Sequence, residues 1–109
     1  MRIWDIPVNK LCQKHLLGEH RELHAIWSII INNKIGYSNH PETLRWKGKL
    51  KALYFRHEKQ MIEMKKRGFN HNSPLEEKFA NGDKTQNVLL DDVEEQIKIL
   101  KTKKCKCNL

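Results

Sequence analysis

VNKLCQKHLLGEHRELHAIWSIIIN, residues Val8–Asn32, is the stretch on which the fold turns. Its apolar residues keep helical register, with Cys12, Leu16, Leu23, Ile26 and Ile30 on one stripe. Pro7 suits a helix first turn, and Asn33 with Gly36 supplies a stop signal. KIGYSNHP then reads as a loop, and the helical pattern resumes from Pro41 to Arg67. There Leu50, Leu53, Tyr54, His57, Met61 and Met64 share a face, and Gly68 stands where a C-terminal cap belongs. FNHNSPLEEKFANGDKTQN breaks the periodicity and reads as a long connection, with at most one helical turn over Leu75–Phe79. A last helix is expected over Asp91–Lys103, with Asp91 and Glu94 spaced as a capping box and Val93, Ile97 and Leu100 facing inward. No run of alternating residues suggests a sheet. The expected fold class is all-α, about three main helices around one core, as a single domain over 1–104 with a short basic Cys-containing tail over 105–109.

The 109 residues fit one domain, and 39% apolar residues supply one modest core. No apolar run approaches the roughly 20 residues of a membrane span. The N-terminus MRIWDIPVNK lacks the apolar stretch of a signal peptide, so a cytoplasmic location is expected. Lys+Arg 21 against Asp+Glu 13 gives a formal charge of +8, which favours a polyanionic partner, nucleic acid first and acidic membrane second. Three cysteines without a CxxC pair suit a reducing compartment and offer no familiar zinc spacing. Cys105 and Cys107 in KTKKCKCNL read as a solvated tail, although a C-x-C pair could also capture a soft metal or oxidise.

The densest cluster of reactive side chains is HLLGEHRELH, His15 to His24. At about 100° per residue, His15, Gly18 and Glu22 fall on one narrow helical strip, with His15 and Glu22 about 10 Å apart. The missing side chain at Gly18 leaves a hollow between them, and an interior helical glycine costs about 1 kcal/mol relative to alanine, so a reason for it is worth seeking. An imidazole, a carboxyl group and a gap make a plausible active-site floor. Equally, Glu19, His20, Arg21 and Glu22 could form the solvated face of a surface helix. His20 and His24, at i and i+4, could chelate zinc if a third ligand arrived, but HExxH is absent.

Further on, Arg45, Lys47, Lys49, Lys51, Arg56, Lys59, Lys65, Lys66 and Arg67 outnumber Glu58 and Glu63, with Trp46, Tyr54 and Phe55 interleaved. Cations beside flat rings suit phosphate contacts and base stacking. A merely solubilising face is the other reading. Arg45, Lys47, Lys49, Arg56, Lys66 and Arg67 are the candidates for DNA contact.

MRIW, HLLGEHREL and the basic helix closing in KKRGFN, in that order, resemble the pyrimidine-dimer DNA glycosylase/abasic-site lyase family over roughly residues 1–72. The resemblance implies an all-helical fold with the N-terminal segment packed against the helices. It also implies catalysis by the chain's own α-amine with a glutamate beside it. Glu22 falls on that glutamate, and Arg2, His15 and Arg21 on residues that line the site or hold phosphate. Base excision repair of damaged double-stranded DNA follows, with no cofactor or metal; a monomer is the default.

The chemistry is physically sensible. An imine at a sugar C1′ needs an unprotonated amine, and an α-amine titrates near about 8 against about 10.4 for lysine. Arg2 beside the amine would lower it further. A carboxylate then steadies the cationic intermediates and shuttles protons. The base must leave the stack first, so the DNA is kinked and a nucleotide flipped.

Departures from the family pattern bear mainly on the substrate. The best-known member of the family has its initiator Met removed to expose a small hydroxylated residue. Here Arg2 opposes that processing, and the motifs align Met1 itself with the nucleophile. Ala25 stands where the family has a DNA-contacting arginine, and the aromatic-rich C-terminus is replaced by a Lys/Cys tail. The leading expectation is a glycosylase and β-elimination lyase on cyclobutane pyrimidine dimers or abasic sites, with catalytic Met1 and Glu22. The alternative is a non-enzymatic basic helical DNA-binding module, and a weaker third is a metal-binding bundle using His20 and His24.

Overall fold

The computed structural model describes residues 2–32, 39–69, 74–103 and 105–108. Among them there are four α-helices and no strand: α1 (Gln13–Ile31), α2 (Pro41–Trp46), α3 (Leu50–Lys66) and α4 (Val93–Thr102).

The first expected helix is interrupted. Pro7 opens only a 3-10 turn over Val8–Lys10, and Leu11 and Cys12 then run extended before α1 begins. Cys12 is therefore the N-cap, not the first residue of a helical stripe. Leu16, Leu23 and Ile26 are buried as expected. The stop signal at Asn33 and Gly36 lies outside the described residues.

The second expected helix is two. Gly48 takes φ +77°, a left-handed conformation open to glycine, and the chain turns between α2 and α3. The long connection supplies the cap that α3 lacks in its own side chains. The N–H groups of Lys51 and Ala52 donate to the carbonyls of Asn81 (2.8 Å) and Asp83 (3.1 Å), and Asp83 N–H returns to Gly48 O (2.9 Å). At its other end α3 closes as a Schellman motif. Gly68 has φ +83°, Phe69 N–H donates to Met64 O (3.0 Å) and Gly68 N–H to Lys65 O (3.1 Å), with Phe69 packed in the same cluster as Met64.

The connection's helical turn is a 3-10 turn at Glu77–Phe79, and residues 70–73 lie outside the described set. In the last helix the cap is one residue later than expected, with Asp92 accepting from Glu95 N–H at 2.8 Å. Leu100 faces inward and Ile97 is half-buried, but Val93 is exposed and Gln96 takes an interior position.

The core has two parts. Ile3, Leu23, Ile26, Trp27, Trp46, Leu50, Ala52 and Leu53 form one; Trp4, Ile6, Leu11, Leu16, Met64 and Leu100 form the other. The N-terminal segment runs between them, sending Ile3 one way and Trp4 and Ile6 the other, with the two-residue period of a strand.

Candidate active site

That segment is held as a strand would be, by side chains in place of neighbouring strands. Ile3 N–H donates to Glu42 Oε1 (3.4 Å), Trp4 N–H to Glu19 Oε1 (2.6 Å) and Asp5 N–H to Gln96 Oε1 (2.8 Å). Arg45 Nη2 donates to the Ile3 carbonyl and Arg56 Nη2 to that of Ile6, both at 2.9 Å. All four helices contribute to this grip. Buried peptide groups demand partners, which is why Glu19, Glu42, Arg45 and Gln96 are buried in so small a core.

The grip is cross-braced. Arg56 holds both carboxylate oxygens of Glu19 at 3.0 Å, and Gln60 donates its Nε2 to the same carboxylate while its Oε1 accepts from His20 Nδ1 (2.9 Å). Burial pushes the Glu19 carboxyl up; Arg56, Gln60 and the Trp4 N–H oppose this, and the balance leaves it above its ordinary value. Glu42 Oε1 accepts from Arg45 Nε (2.8 Å) and Trp46 Nε1 (3.1 Å). Glu19 and His20 are thus interior residues, not part of a solvated face. Sequence reading missed these roles because the partners are backbone groups far away in the chain.

The expected site residues divide. Met1 lies outside the described residues. Glu22 is half-buried on α1, and a Cβ built on Gly18 meets nothing within 4 Å, so the hollow on their shared strip is open. His15 sits on that strip but turns toward sulfur: its Nδ1 lies 3.1 Å from Cys12 Sγ and 3.3 Å from Cys107 Sγ. Burial, then Lys103 and Lys14, hold its pKa below the ordinary value. Arg2 stacks over Trp4, 4.5 Å from the ring centroid, and pairs with Asp91 at 2.6 Å.

Among the expected DNA contacts, Arg21, Lys47 and Lys66 are exposed. Arg45 is not, with 5% of its surface accessible and its guanidinium spent on Glu42, Asp5 and the carbonyls of Ile3 and Val88. Its charge serves the interior, which corrects its assignment to a phosphate-facing surface. Arg56 is committed to Glu19 and Ile6, and Arg67 to Glu63 and the Leu11 carbonyl (2.7 Å). Lys49 donates to Gln86 at 2.8 Å. Of the interleaved rings, Trp46 is core and Phe55 is exposed. Phe55 borders a cavity of about 500 Å³ that Arg56, Lys59 and Lys84 also line.

Among the described residues, two groups of metal-ligating side chains are assembled. His57 from α3 joins His20 and His24, with ring centroids 4.6 to 5.0 Å apart. Separately, Cys12, His15, Cys105 and Cys107 bring their donor atoms within 4.8 Å of one another. The tail is therefore packed at these cysteines and not wholly solvated. No helix among the described residues is long and apolar enough to cross a membrane.

The sequence model of the family described as pyrimidine dimer DNA glycosylase matches residues 1–77. The chain belongs to the pyrimidine dimer DNA glycosylase family. No curated protein and no solved structure matches it. Membership in this glycosylase family implies a damaged-DNA substrate. The matched region holds the N-terminal segment and α1 to α3, whereas α4 and the tail lie outside it.

Proposed function

We propose that the chain is a pyrimidine-dimer DNA glycosylase and abasic-site lyase whose nucleophile is the Met1 α-amine and whose acid/base is Glu22. The amine nitrogen attacks C1′ of the damaged nucleotide, the glycosidic bond breaks and the base leaves with its bonding electrons and a proton. Opening of the C1′–O4′ bond gives the imine, with a proton delivered to O4′. Loss of a C2′ proton then expels the 3′ phosphate by β-elimination, and water releases the amine. Glu22 carries the protons and offsets the iminium charge. Arg21, Lys47 and Lys66 are the exposed cations suited to phosphate, with Arg2 joining them if it leaves Asp91.

The observation that supports this reading is the binding of residues 3 to 6 by side chains from every helix. A nucleophile at a chain terminus needs a fixed chain behind it, since loose ends forfeit the advantage of positioning.

Borohydride trapping tests it. The chain with an unblocked N-terminus, mixed with a duplex carrying one abasic site, is expected to give a covalent adduct that peptide mass spectrometry maps to Met1. Glu22→Gln is expected to abolish strand cleavage. Salt-dependent binding without any adduct would leave a non-enzymatic DNA-binding module.

A further inference from the structure

We propose that Cys12, His15, Cys105 and Cys107 bind one zinc ion that fastens the C-terminal tail to the start of α1. This is independent of the lyase reading; in the sequence the ligands form two short pairs, C-x-x-H and C-x-C, at opposite ends of the chain.

The donor set is that of a structural zinc site, three thiolates and one imidazole. At zinc–sulfur and zinc–nitrogen distances of about 2.3 and 2.0 Å, tetrahedral donors stand roughly 3.4 to 3.8 Å apart. Here the donors stand within 4.8 Å of one another, with His15 Nδ1 at 3.1 and 3.3 Å from two sulfurs. Donor shifts of up to about 1 Å, within reach of side-chain torsions, would close the tetrahedron. Four protein ligands leave no open position, so the ion holds structure and does not act on substrate.

The surroundings fit a bound thiolate cluster. Cys12 N–H donates to Cys107 Sγ at 3.1 Å, an amide aimed at sulfur that stabilises its negative charge. Three thiolates and zinc leave a net charge of −1, and Lys14, Lys103 and Lys106 stand beside the cluster to offset it. The tail is held by backbone as well, with Asn108 N–H donating to Lys10 O at 2.8 Å. A pocket of about 400 Å³, lined by Cys12, Gln13, Lys14, Leu17, Cys105 and Lys106, gives an ion a way in. Binding replaces the thiol protons, which pass to solvent.

The test is elemental analysis of the full chain produced in zinc-supplemented medium and purified without a tag. One zinc per chain is expected, with loss of that zinc in the Cys105→Ser/Cys107→Ser variant. Cobalt substituted into the unmutated chain is expected to show thiolate charge-transfer and intense tetrahedral d–d bands, a readout that does not depend on the variant folding. The thermal midpoint is expected to drop when a chelator is added. A metal-free chain whose three thiols all react freely and whose midpoint ignores chelator would overturn the proposal, as would a Cys12–Cys107 disulfide. Zinc retained in full by the double variant would overturn it equally.

Discussion

Arg56 reaches from α3 to hold both oxygens of Glu19 on α1, Nε 3.0 Å from one and Nη2 3.0 Å from the other, while the same Nη2 donates to the Ile6 carbonyl. One guanidinium thus joins two helices and the N-terminal segment. Its side chain is 14% exposed and that of Glu19 is 0%, so the pair is nearly dry. Removing one partner of such a pair costs about 3 to 5 kcal/mol, because the other is left buried and uncompensated. Glu19→Ala and Arg56→Ala are each expected to lose that much in urea unfolding, and the double variant less than their sum. A loss under about 1 kcal/mol for either single change would remove the clamp from the account of stability.

The Glu19 carboxyl also sets a pH dependence. The groups facing it are Arg56 and Gln60 on α3 and the Trp4 N–H, with His20 one bond further on. Its folded pKa lies above its ordinary value, so between the two the native state binds more protons than the unfolded chain, and stability falls as pH rises. The advantage of the natural chain over Glu19→Gln is therefore expected to be largest below pH 4.5 and to shrink as pH rises through the raised folded value. Urea unfolding of both across that range measures it. An advantage that grows with pH would mean that Arg56 keeps the carboxylate ionised.

Gly18→Ala is expected to stabilise the protein by about 1 kcal/mol, since a helix interior favours alanine and the added methyl meets nothing within 4 Å. Gly82→Ala is expected to do the reverse. Gly82 has φ +81°, and its Cβ would collide with the Gly48 carbonyl, where the long connection lies against the turn before α3. Thermal midpoints of the two variants, moving in opposite directions, check both.

Lys47→Ala and Lys66→Ala are each expected to reduce the slope of log affinity against log salt by about 1 on duplex DNA, with stability unchanged. Arg45→Ala is expected to lower stability strongly instead, because its charge is paired with Glu42 and Asp5 inside the fold. Equal salt effects from all three would contradict the burial of Arg45.

Helix identity was legible in the apolar spacing of Leu16, Leu23 and Ile26 and of Leu50, Leu53 and Met64, because burial of a helix face imposes that spacing. The split at Gly48 was signalled by the glycine itself, set inside an otherwise periodic run. The break at Leu11 and Cys12 carried no such signal, since neither residue opposes a helix. The charge count was legible but its allocation was not: Arg45 and Lys47 look alike in a sequence, and only packing sends one inward. Glu19, Glu42 and Gln96 were unreadable as interior residues, because what they satisfy is the backbone of residues 3 to 5. The Cys/His set was hidden for a similar reason, with Cys107 and His15 separated by 92 positions.

The region matched by the family ends at residue 77, yet the hold on the first residues does not. Asp91 takes Arg2, Gln96 takes both the amide and the carboxylate of Asp5, and Leu100 closes over Trp4 and Ile6. The C-terminal third is thus a splint on the N-terminal segment. A substitution there, remote in sequence from the family motifs, would loosen residues 2 to 6 as directly as one made beside them.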